Sequence, residues 1–210
     1  AEGLATSQSG TKIMPLGDSI TFGEGSSSFG GYRVTLWNDL EAAHFHITFV
    51  GSKSSGPATL PNQANEGHPG ARIDTISDHV VPWLEQYQPQ IILLHVGTND
   101  ILQKYSVDTV SARLQRLLIQ ITTTLPRALV IVAQIIPLEK FGRNSAVIAY
   151  NKTIPGIVYR LVRLGKRVKY VDMYDVVPVN DILDQIHPNN QGYNLMAAVW
   201  FAALKQSYKF

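Results

Sequence analysis

The feature that most constrains the fold is a series of short apolar runs that alternate with segments of helical spacing. Runs typical of β-strands occupy residues 12–16, 47–50, 91–96, 129–136 and 168–173. They alternate little between polar and apolar residues, as is usual for strands covered on both faces of a parallel sheet. Between them, apolar residues recur at helical spacing, as they do from Val110 to Ile121. The pattern predicts a doubly wound α/β fold, in which helices flank a flavodoxin-like parallel sheet of five strands.

The composition is that of one compact domain. Of 210 residues, 45% are apolar and 16% are charged, which suits a sizeable core and argues against disorder. We expect a loose N-terminal arm at residues 1–10 and a single domain at 11–210, with a long Ser-, Gly- and Pro-rich loop at 51–69. Because the chain has no cysteine, disulfides, thiol nucleophiles and cysteine-bound metals are excluded.

Charge and hydropathy limit the classes of partner. The formal net charge is +2, and no aromatic or glycine motif accompanies the densest basic stretch, at 160–169. That stretch fits a solvated helix end better than a nucleic-acid patch. No apolar run reaches the roughly 18–20 residues that a membrane-spanning helix needs. We therefore expect neither a nucleic-acid partner nor a membrane partner, and we expect a monomer.

Gly17-Asp18-Ser19 follows the first predicted strand directly. Ligands of open parallel sheets bind beyond the carboxyl ends of the strands, so Ser19 stands where a nucleophile is useful. Gly17 permits a tight turn at this point. The same residues also suit an Asp-Ser turn that caps a helix, and the motif alone does not separate the two interpretations.

Asp184 and His187, just before the last predicted helix, supply what a serine nucleophile requires. A serine hydroxyl needs a base, and an imidazole suits that role near neutral pH. An aspartate three positions earlier, on a bent loop, can hold the ring in one tautomer. Pro188 disfavours helical geometry at His187. The alternative interpretation is a surface histidine in a loop that enters a helix.

Asn99 and Gly70 are the candidates for stabilising negative charge on a carbonyl oxygen. Acyl transfer requires hydrogen-bond donors that already point at that oxygen. Asn99 follows the strand at 91–96, and Gly70 precedes a helical segment, whose first N–H groups are unpaired. Taken alone, each would be an ordinary turn residue. Because both map to the sheet edge that carries Ser19, together they indicate a serine hydrolase.

SGNH hydrolases, a branch of the GDSL esterases, carry four sequence blocks that this chain resembles, in order, at Gly17–Ile20, Gly67–Arg72, Gly97–Asp100 and Asp184–His187. The resemblance implies that Ser19 is the nucleophile, His187 the base and Asp184 its orienting residue. It also implies an oxyanion hole built from the N–H of Ser19, the N–H of Gly70 and the amide of Asn99. No cofactor is needed, and no acidic cluster identifies a metal site.

Two further segments, Gly30–Arg33 and Glu66–Gly70, resemble carbohydrate esterase family three, whose members are mostly acetyl xylan esterases and are often secreted. The resemblance implies a secreted esterase that removes O-acetyl groups from xylan or related carbohydrates through an acetyl-enzyme intermediate. Small-molecule or polysaccharide esters would be its substrates. We expect substrate contacts at Tyr32, His68, Tyr105 and Phe141.

Two alternatives remain open at this stage. The same machinery would serve a lipid-ester or thioester hydrolase, and the same fold could carry a non-catalytic carbohydrate-binding protein. The predicted mouth loops at 51–69, 102–107 and 137–144 are mixed and not strongly apolar, which favours a small acyl group on a polar carrier. A binding protein would have no need of a base aligned with a serine.

Overall fold

The structure, a computed structural model, describes residues 10–207, so the predicted N-terminal arm lies outside the described residues except for its last position. In chain order the elements are β1 (Thr11–Gly17), α1 (Ser19–Phe22), α2 (Tyr32–Ala42), β2 (Ile47–Phe49), β3 (Lys53–Ser54), β4 (Ala64–Gly67), α3 (Ile73–Tyr87), β5 (Ile91–His95), α4 (Thr98–Leu102), α5 (Val110–Thr124), β6 (Leu129–Gln134), α6 (Asn144–Arg163), β7 (Val168–Asp172), β8 (Ile182–Leu183), β9 (His187–Pro188) and α7 (Asn190–Ser207). Short 3-10 turns cover Val107–Thr109, Lys140–Gly142 and Val179–Asp181.

The five predicted strands form one parallel sheet in the order β2-β1-β5-β6-β7. This is the predicted flavodoxin-like order, in which the chain starts at the centre, moves outward once and then returns to continue past its starting point. The register between β1 and β5 runs from Ile13 opposite Ile91 to Gly17 opposite His95. The carboxyl ends of these two strands therefore lie side by side, and they are followed by Ser19 and Asn99.

Strand β5 shows how the sheet divides the core. Ile92 and Leu94 belong to the apolar cluster formed with α3, α5 and α6, while Ile91 and Leu93 belong to the cluster formed with α2 and α7. Because both faces are covered, the strand is apolar throughout and shows no alternation. Burial of one such aliphatic side chain contributes roughly 1.5–3 kcal/mol, so the two layers fix the strand ends firmly. Within residues 10–207, no helix is both long enough and apolar enough to cross a membrane.

The predicted loop at 51–69 is partly wrong, because it contains β3 and β4. Strand β4 pairs in parallel with the end of β1, and β3 pairs antiparallel with β4, so the sheet has seven strands. Glu66 in β4 lies opposite Leu16 in β1. Its carboxylate accepts hydrogen bonds from the N–H and the hydroxyl of Ser52 at 2.7 and 2.5 Å. This strand brings His68 beside β1, where its N–H donates to the Gly17 carbonyl at 2.9 Å.

Candidate active site

Ser19 is the first residue of α1 and lies just beyond the carboxyl end of β1. Asp18 caps this helix, since its Oδ1 accepts a hydrogen bond from the Ile20 N–H at 3.0 Å. The turn requires glycine at position 17, because a Cβ there would lie 2.2 Å from the carbonyl oxygen of His95. Ser19 is 7% exposed. The helix cap and the nucleophile position therefore coexist, with Asp18 in one role and Ser19 placed for the other.

His187 reaches Ser19 from the far end of the chain. Strands β8 and β9 form an antiparallel hairpin in which Leu183 lies opposite His187. Asp184 and Gln185 turn the chain between them, with φ angles of 45° and 67°. The hairpin places Nε2 of His187 at 2.9 Å from Oγ of Ser19, which is hydrogen-bond distance.

The two carboxylate oxygens of Asp184 have different partners. Oδ2 lies 2.8 Å from Nδ1 of His187, and Oδ1 accepts from the backbone N–H groups of Ile186 and His187 at 3.1 and 2.9 Å. Partial burial pulls the pKa of this carboxyl upward, but the hydrogen bonds from His187 outweigh it and leave the pKa below its usual value. Asp184 is therefore ionised at neutral pH. An ionised acceptor keeps the ring hydrogen on Nδ1, so that Nε2 can accept from Ser19.

The candidate oxyanion donors come from three segments that hydrogen bonds tie together. The N–H of Ser19 has no partner within its helix, because it belongs to the first turn. Asn99 uses one amide hydrogen on the Ala71 carbonyl at 3.0 Å, and an amide carries a second. That bond fixes Asn99 to the residue after Gly70. The bond from His68 to Gly17 fixes the same turn to β1.

Two glycines of this turn differ in their surroundings. A Cβ at Gly67 would lie 2.4 Å from the backbone nitrogen of Phe22, so Gly67 is required for packing. Gly70 has a φ of +79°, and a Cβ built there meets nothing within 4 Å. Its backbone thus adopts a conformation that favours glycine and faces open space. These surroundings favour Gly70 over Gly67 as the residue whose N–H could reach a ligand.

The residue that follows Asn99, Asp100, forms a buried ion pair with Arg113. Asp100 accepts from the N–H of Ile73 at 3.0 Å and from the guanidinium of Arg113, which also donates to the Tyr105 carbonyl at 2.9 Å. Burial raises the pKa of Asp100, and the hydrogen bond from Arg113 opposes that rise. Arg113 belongs to none of the sequence motifs. A signal was present, since position 113 lies three residues after Val110 on the apolar face of α5, where an arginine is unusual.

Asp18 is a second buried acid next to Ser19. Its Oδ2 has no hydrogen-bond partner within the described part of the chain. Burial is the largest influence on this carboxyl and raises its pKa to about 7, and the negative charge of Asp100 adds to the rise. Asp18 therefore changes its charge in the neutral pH range.

Of two predicted substrate contacts, Tyr32 is buried in the core and His68 is partly exposed but engaged by neighbouring residues. The prediction for Tyr32 is wrong: its side chain is fully buried, and its ring packs against Trp200 with centroids 5.9 Å apart. It was misassigned because the first residue of a helix can face either way until the apolar side of that helix is known. The His68 ring stacks on Trp83 at 4.4 Å, and its Nε2 lies 2.6 Å from Oε1 of Glu66. His68 thus holds the turn that precedes Gly70.

The other two predicted contacts lie at the surface. Tyr105 is exposed, and the guanidinium of Arg72 lies 4.1 Å from its ring centroid. Phe141 is 71% exposed and lies beside the catalytic hairpin, because the N–H of the preceding Lys140 donates to the Gln185 carbonyl at 3.2 Å. Its φ of 56° is unusual for an aromatic residue.

Glu24 is a contact of His187 that no sequence pattern indicated. Its Oε2 lies 3.3 Å from Nε2 of His187. Glu24 belongs to none of the motifs, and the two residues are distant in the chain, so only the folded structure reveals the pair. Across residues 10–207, no group of three or more His, Asp or Glu side chains could hold a metal ion.

Comparison with known proteins agrees with this geometry. Residues 16–195 match the model of the GDSL-like Lipase/Acylhydrolase family. A family 3 carbohydrate esterase of Clostridium thermocellum is 35% identical, with a TM-score of 0.84, over 91% of this chain and 94% of its own. An acetyl esterase, solved as a serine-to-alanine mutant with an acetate ion, is 25% identical with a TM-score of 0.81, over 94% of this chain and 97% of its own.

Among curated proteins, a multidomain esterase of Ruminococcus flavefaciens is 29% identical over 95% of this chain. The chain spans 29% and 56% of the lengths of the two curated relatives that it matches. The family match covers most of the chain, and the identity to the C. thermocellum enzyme extends over nearly all of that structure. The chain therefore belongs to the GDSL-like lipase/acylhydrolase family and is a carboxylic ester hydrolase of the family 3 carbohydrate esterase type.

Proposed function

We propose that this chain is a serine esterase that removes O-acetyl groups from xylan or a related cell-wall carbohydrate. The observation that carries the proposal is the continuous hydrogen-bonded series from Asp184 through His187 to Ser19, with distances of 2.8 and 2.9 Å. This is the arrangement of an orienting acid, a base and a nucleophile. It argues against a purely binding function, in which none of these contacts would be needed.

In the first half-reaction, Oγ of Ser19 attacks the acetyl carbonyl carbon while Nε2 of His187 takes the hydroxyl proton. Negative charge develops on the carbonyl oxygen, where the N–H of Ser19, the N–H of Gly70 and the amide of Asn99 stabilise it. The bond between the carbonyl carbon and the sugar oxygen then breaks. His187 returns its proton to that sugar oxygen, and acetyl-Ser19 remains.

In the second half-reaction, a water molecule takes the place of the sugar. His187 removes a proton from the water as it attacks the acetyl carbonyl carbon, and the same three donors stabilise the oxyanion. The bond to Oγ breaks, His187 protonates Ser19 and acetate leaves. Asp184 stays ionised throughout and stabilises the positively charged ring in both halves.

The surroundings of the triad support a sugar as the alcohol part of the ester. A cavity of about 280 Å³ lies between the N-terminal ends of α2 and α7, and hydroxyl and amide side chains supply its polar lining: Ser26, Ser27, Ser28, Thr35, Asn190 and Asn194. It lies near His187, because the lining residue Ser26 follows Gly25, where a Cβ would lie 2.8 Å from Cβ of His187. Neutral hydroxyl and amide groups suit a neutral sugar better than an alkyl chain.

Two exposed aromatic rings at the same edge also support a carbohydrate substrate. Phe141 lies beside the hairpin of His187, and Phe29, which is 52% exposed, lies on the loop that follows Glu24. Both have positive φ angles, of 56° and 55°, and strained backbone of this kind clusters at functional sites. Such rings could stack on the apolar face of a sugar. The acetyl esterase relative supports acetate as the acyl group.

The experiment that tests the proposal measures kcat/KM on 4-nitrophenyl esters of increasing acyl length, together with acetate release from acetylated xylan. We expect the acetate ester to be the best of the series and acetate to be released from the polymer. A long apolar groove would contribute about 0.8 kcal/mol for each buried methylene, so a lipase-like enzyme would show kcat/KM rising steeply with chain length. Such a rise without acetate release would replace the deacetylase proposal with the lipid-esterase alternative. An extracellular location and a monomeric state stay predictions.

A further inference from the structure

We propose that Glu24 is a second carboxylate partner of His187, which holds the imidazolium that forms when the ring takes the proton of Ser19. The proposal rests on the proposed function, because it assigns a positioning role within the same reaction. Glu24 lies outside the four sequence blocks, and no part of the triad description requires it.

The geometry places a carboxylate at each nitrogen of the ring. Asp184 lies 2.8 Å from Nδ1, and Oε2 of Glu24 lies 3.3 Å from Nε2. In the resting state Nε2 has a single lone pair, and the hydroxyl of Ser19 donates to it at 2.9 Å. A carboxylate, which only accepts, gains nothing from Nε2 in that state. Once Nε2 carries the proton, Glu24 can accept from it, so the contact strengthens as the reaction proceeds.

Two hydrogen bonds and one close backbone approach hold the backbone around Glu24 near His187. Its N–H donates to the Ser19 carbonyl at 3.0 Å, and its carbonyl accepts from the hydroxyl of the buried Tyr193 at 2.5 Å. The next residue is Gly25, where a Cβ would lie 2.8 Å from Cβ of His187. The close approach of this loop therefore depends on glycine, and the carboxylate starts from a fixed point.

The other polar and charged groups around the His187 ring determine which control variants the test needs. Asp184 faces Nδ1 from the hairpin, and Ser19 faces Nε2 from α1. Asp18 is another acid near the ring, and its charge and that of Glu24 act on each other, as do those of Asp18 and Asp100. Since Asp18 changes its charge near neutral pH, an Asp18→Asn variant is needed to separate its titration from that of the ring. The side chain of Glu24 is 34% exposed, so added salt should weaken its contact with His187.

The role has a specific consequence for the pH profile of Glu24→Gln. Glu24 stabilises the charged ring equally in the resting protonated enzyme and in the transition state. On the neutral-pH plateau, where the resting ring is uncharged, the variant should lose about 1.5- to 5-fold in kcat/KM, the range expected for a partly exposed ion pair. At acid pH the resting enzyme also carries the charged ring. The two rates should therefore converge, and the acid limb of the variant should move to lower pH.

The test compares wild type, Glu24→Gln and a control, Glu139→Gln, on 4-nitrophenyl acetate from acid to mildly alkaline pH. Glu139 lies beside the hairpin, where its N–H donates to the Gln185 carbonyl at 3.2 Å, and among the described residues the ring of His187 has Ser19, Glu24 and Asp184 as its partners instead. The control should follow the wild-type profile. A plateau loss in Glu24→Gln that converges at acid pH, shrinks in added salt and persists in the Asp18→Asn background supports the proposal. A loss by the same factor at every pH would indicate a structural role and overturn it.

Two further measurements keep the proposal separate from the proposed function. If only acetylated sugars, and not 4-nitrophenyl acetate, lose rate in Glu24→Gln, then Glu24 binds the sugar and the proposal is wrong. NMR of the His187 ring in the Ser19→Ala background needs no turnover. There, the midpoint of the ring titration should move to lower pH when Glu24→Gln is added, and an unmoved midpoint would overturn the proposal. Absence of wild-type esterase activity with a shifted midpoint would refute the proposed function alone.

Discussion

Asp184 and His187 contact each other twice: one carboxylate oxygen lies 2.8 Å from the ring Nδ1, and the other accepts the backbone N–H of the same histidine at 2.9 Å. The acid that orients the ring therefore also shapes the turn that presents it. Because both contacts are local, three residues of sequence are enough to specify them. The contact with Ser19, in contrast, depends on the whole sheet.

Asp184→Asn should lower kcat by about 10²–10⁴, with a much smaller effect on KM. Its Oδ1 could still accept the backbone N–H, but the amide nitrogen would face Nδ1 as a donor. The ring would then carry its hydrogen on Nε2, where it cannot accept from Ser19. The measurement is kcat on 4-nitrophenyl acetate. The matched control is Asp175→Asn, which changes an exposed carboxylate beyond β7. Retention of more than a tenth of the wild-type kcat would disconnect Asp184 from the base.

Asn99→Ala should lower kcat more than it raises KM. Its amide is placed to bind an oxyanion that exists only near the transition state, and loss of one such donor typically costs about 10²–10³ in kcat. The variant also loses the hydrogen bond to the Ala71 carbonyl, so its folding should be checked by urea unfolding. A change confined to KM would mean that Asn99 holds the ground-state ester instead.

Asp18→Asn should change how stability depends on pH. The folded-state pKa of Asp18 is raised to about 7 from an ordinary value of 3.8. Between these values the folded protein binds a proton that the unfolded chain does not, so this group makes folding less favourable as pH rises through that interval. The loss is on the order of a few kcal/mol, complete above pH ~7.

The measurement is the free energy of urea unfolding for wild type and Asp18→Asn at several pH values. Asn Oδ1 can still accept from the Ile20 N–H, so the helix cap is kept. We expect the stability of the variant relative to wild type to improve as pH rises from 3.8 to about 7, and to level off at higher pH. A difference that does not vary with pH would show that Asp18 is not a proton-binding site in the folded protein.

Arg33→Lys should destabilise the fold by about 2–4 kcal/mol. The buried guanidinium donates to the carbonyls of Phe22, Phe29 and Ser55 at 3.0, 2.9 and 2.8 Å, and so joins the end of α1 to the loops that carry Phe29 and Ser55. Burial lowers its pKa to about 10. An ammonium group donates from a single nitrogen and cannot reach all three carbonyls, so at least one of them would be left without its donor. Urea unfolding tests this, and the exposed Arg116→Lys should change stability by less than about 0.5 kcal/mol.

The parts of the structure that the sequence predicts are those with a local or periodic cause. The five central strands follow from apolar runs that require cover on both faces, and the pairing of Asp184 with His187 follows from their spacing. Strands β3 and β4 were missed because their polar residues are satisfied only across the fold, as when Asn65 donates to Ser55 at 3.1 Å. In the sequence alone, polar residues of this kind look like those of a loop.

Tyr32 and Glu24 show a second limit of prediction from the sequence. Tyr32 lies within the segment Gly30–Arg33, but the packing of α2 against α7 turns it into the core. Glu24 lies outside every motif, but the hairpin of His187 folds onto it. In both cases the deciding contact comes from a distant element, and no pattern near the residue reports it.

The central claim, that Ser19 is the nucleophile, is tested most directly by mapping the covalent adduct of a fluorophosphonate probe by mass spectrometry. We predict a single adduct on Ser19 in the wild-type protein, none in Ser19→Ala, and a fall in kcat of about 10⁴–10⁶ in that variant. An adduct on a different residue would contradict the account, as would turnover in Ser19→Ala above a tenth of the wild-type rate.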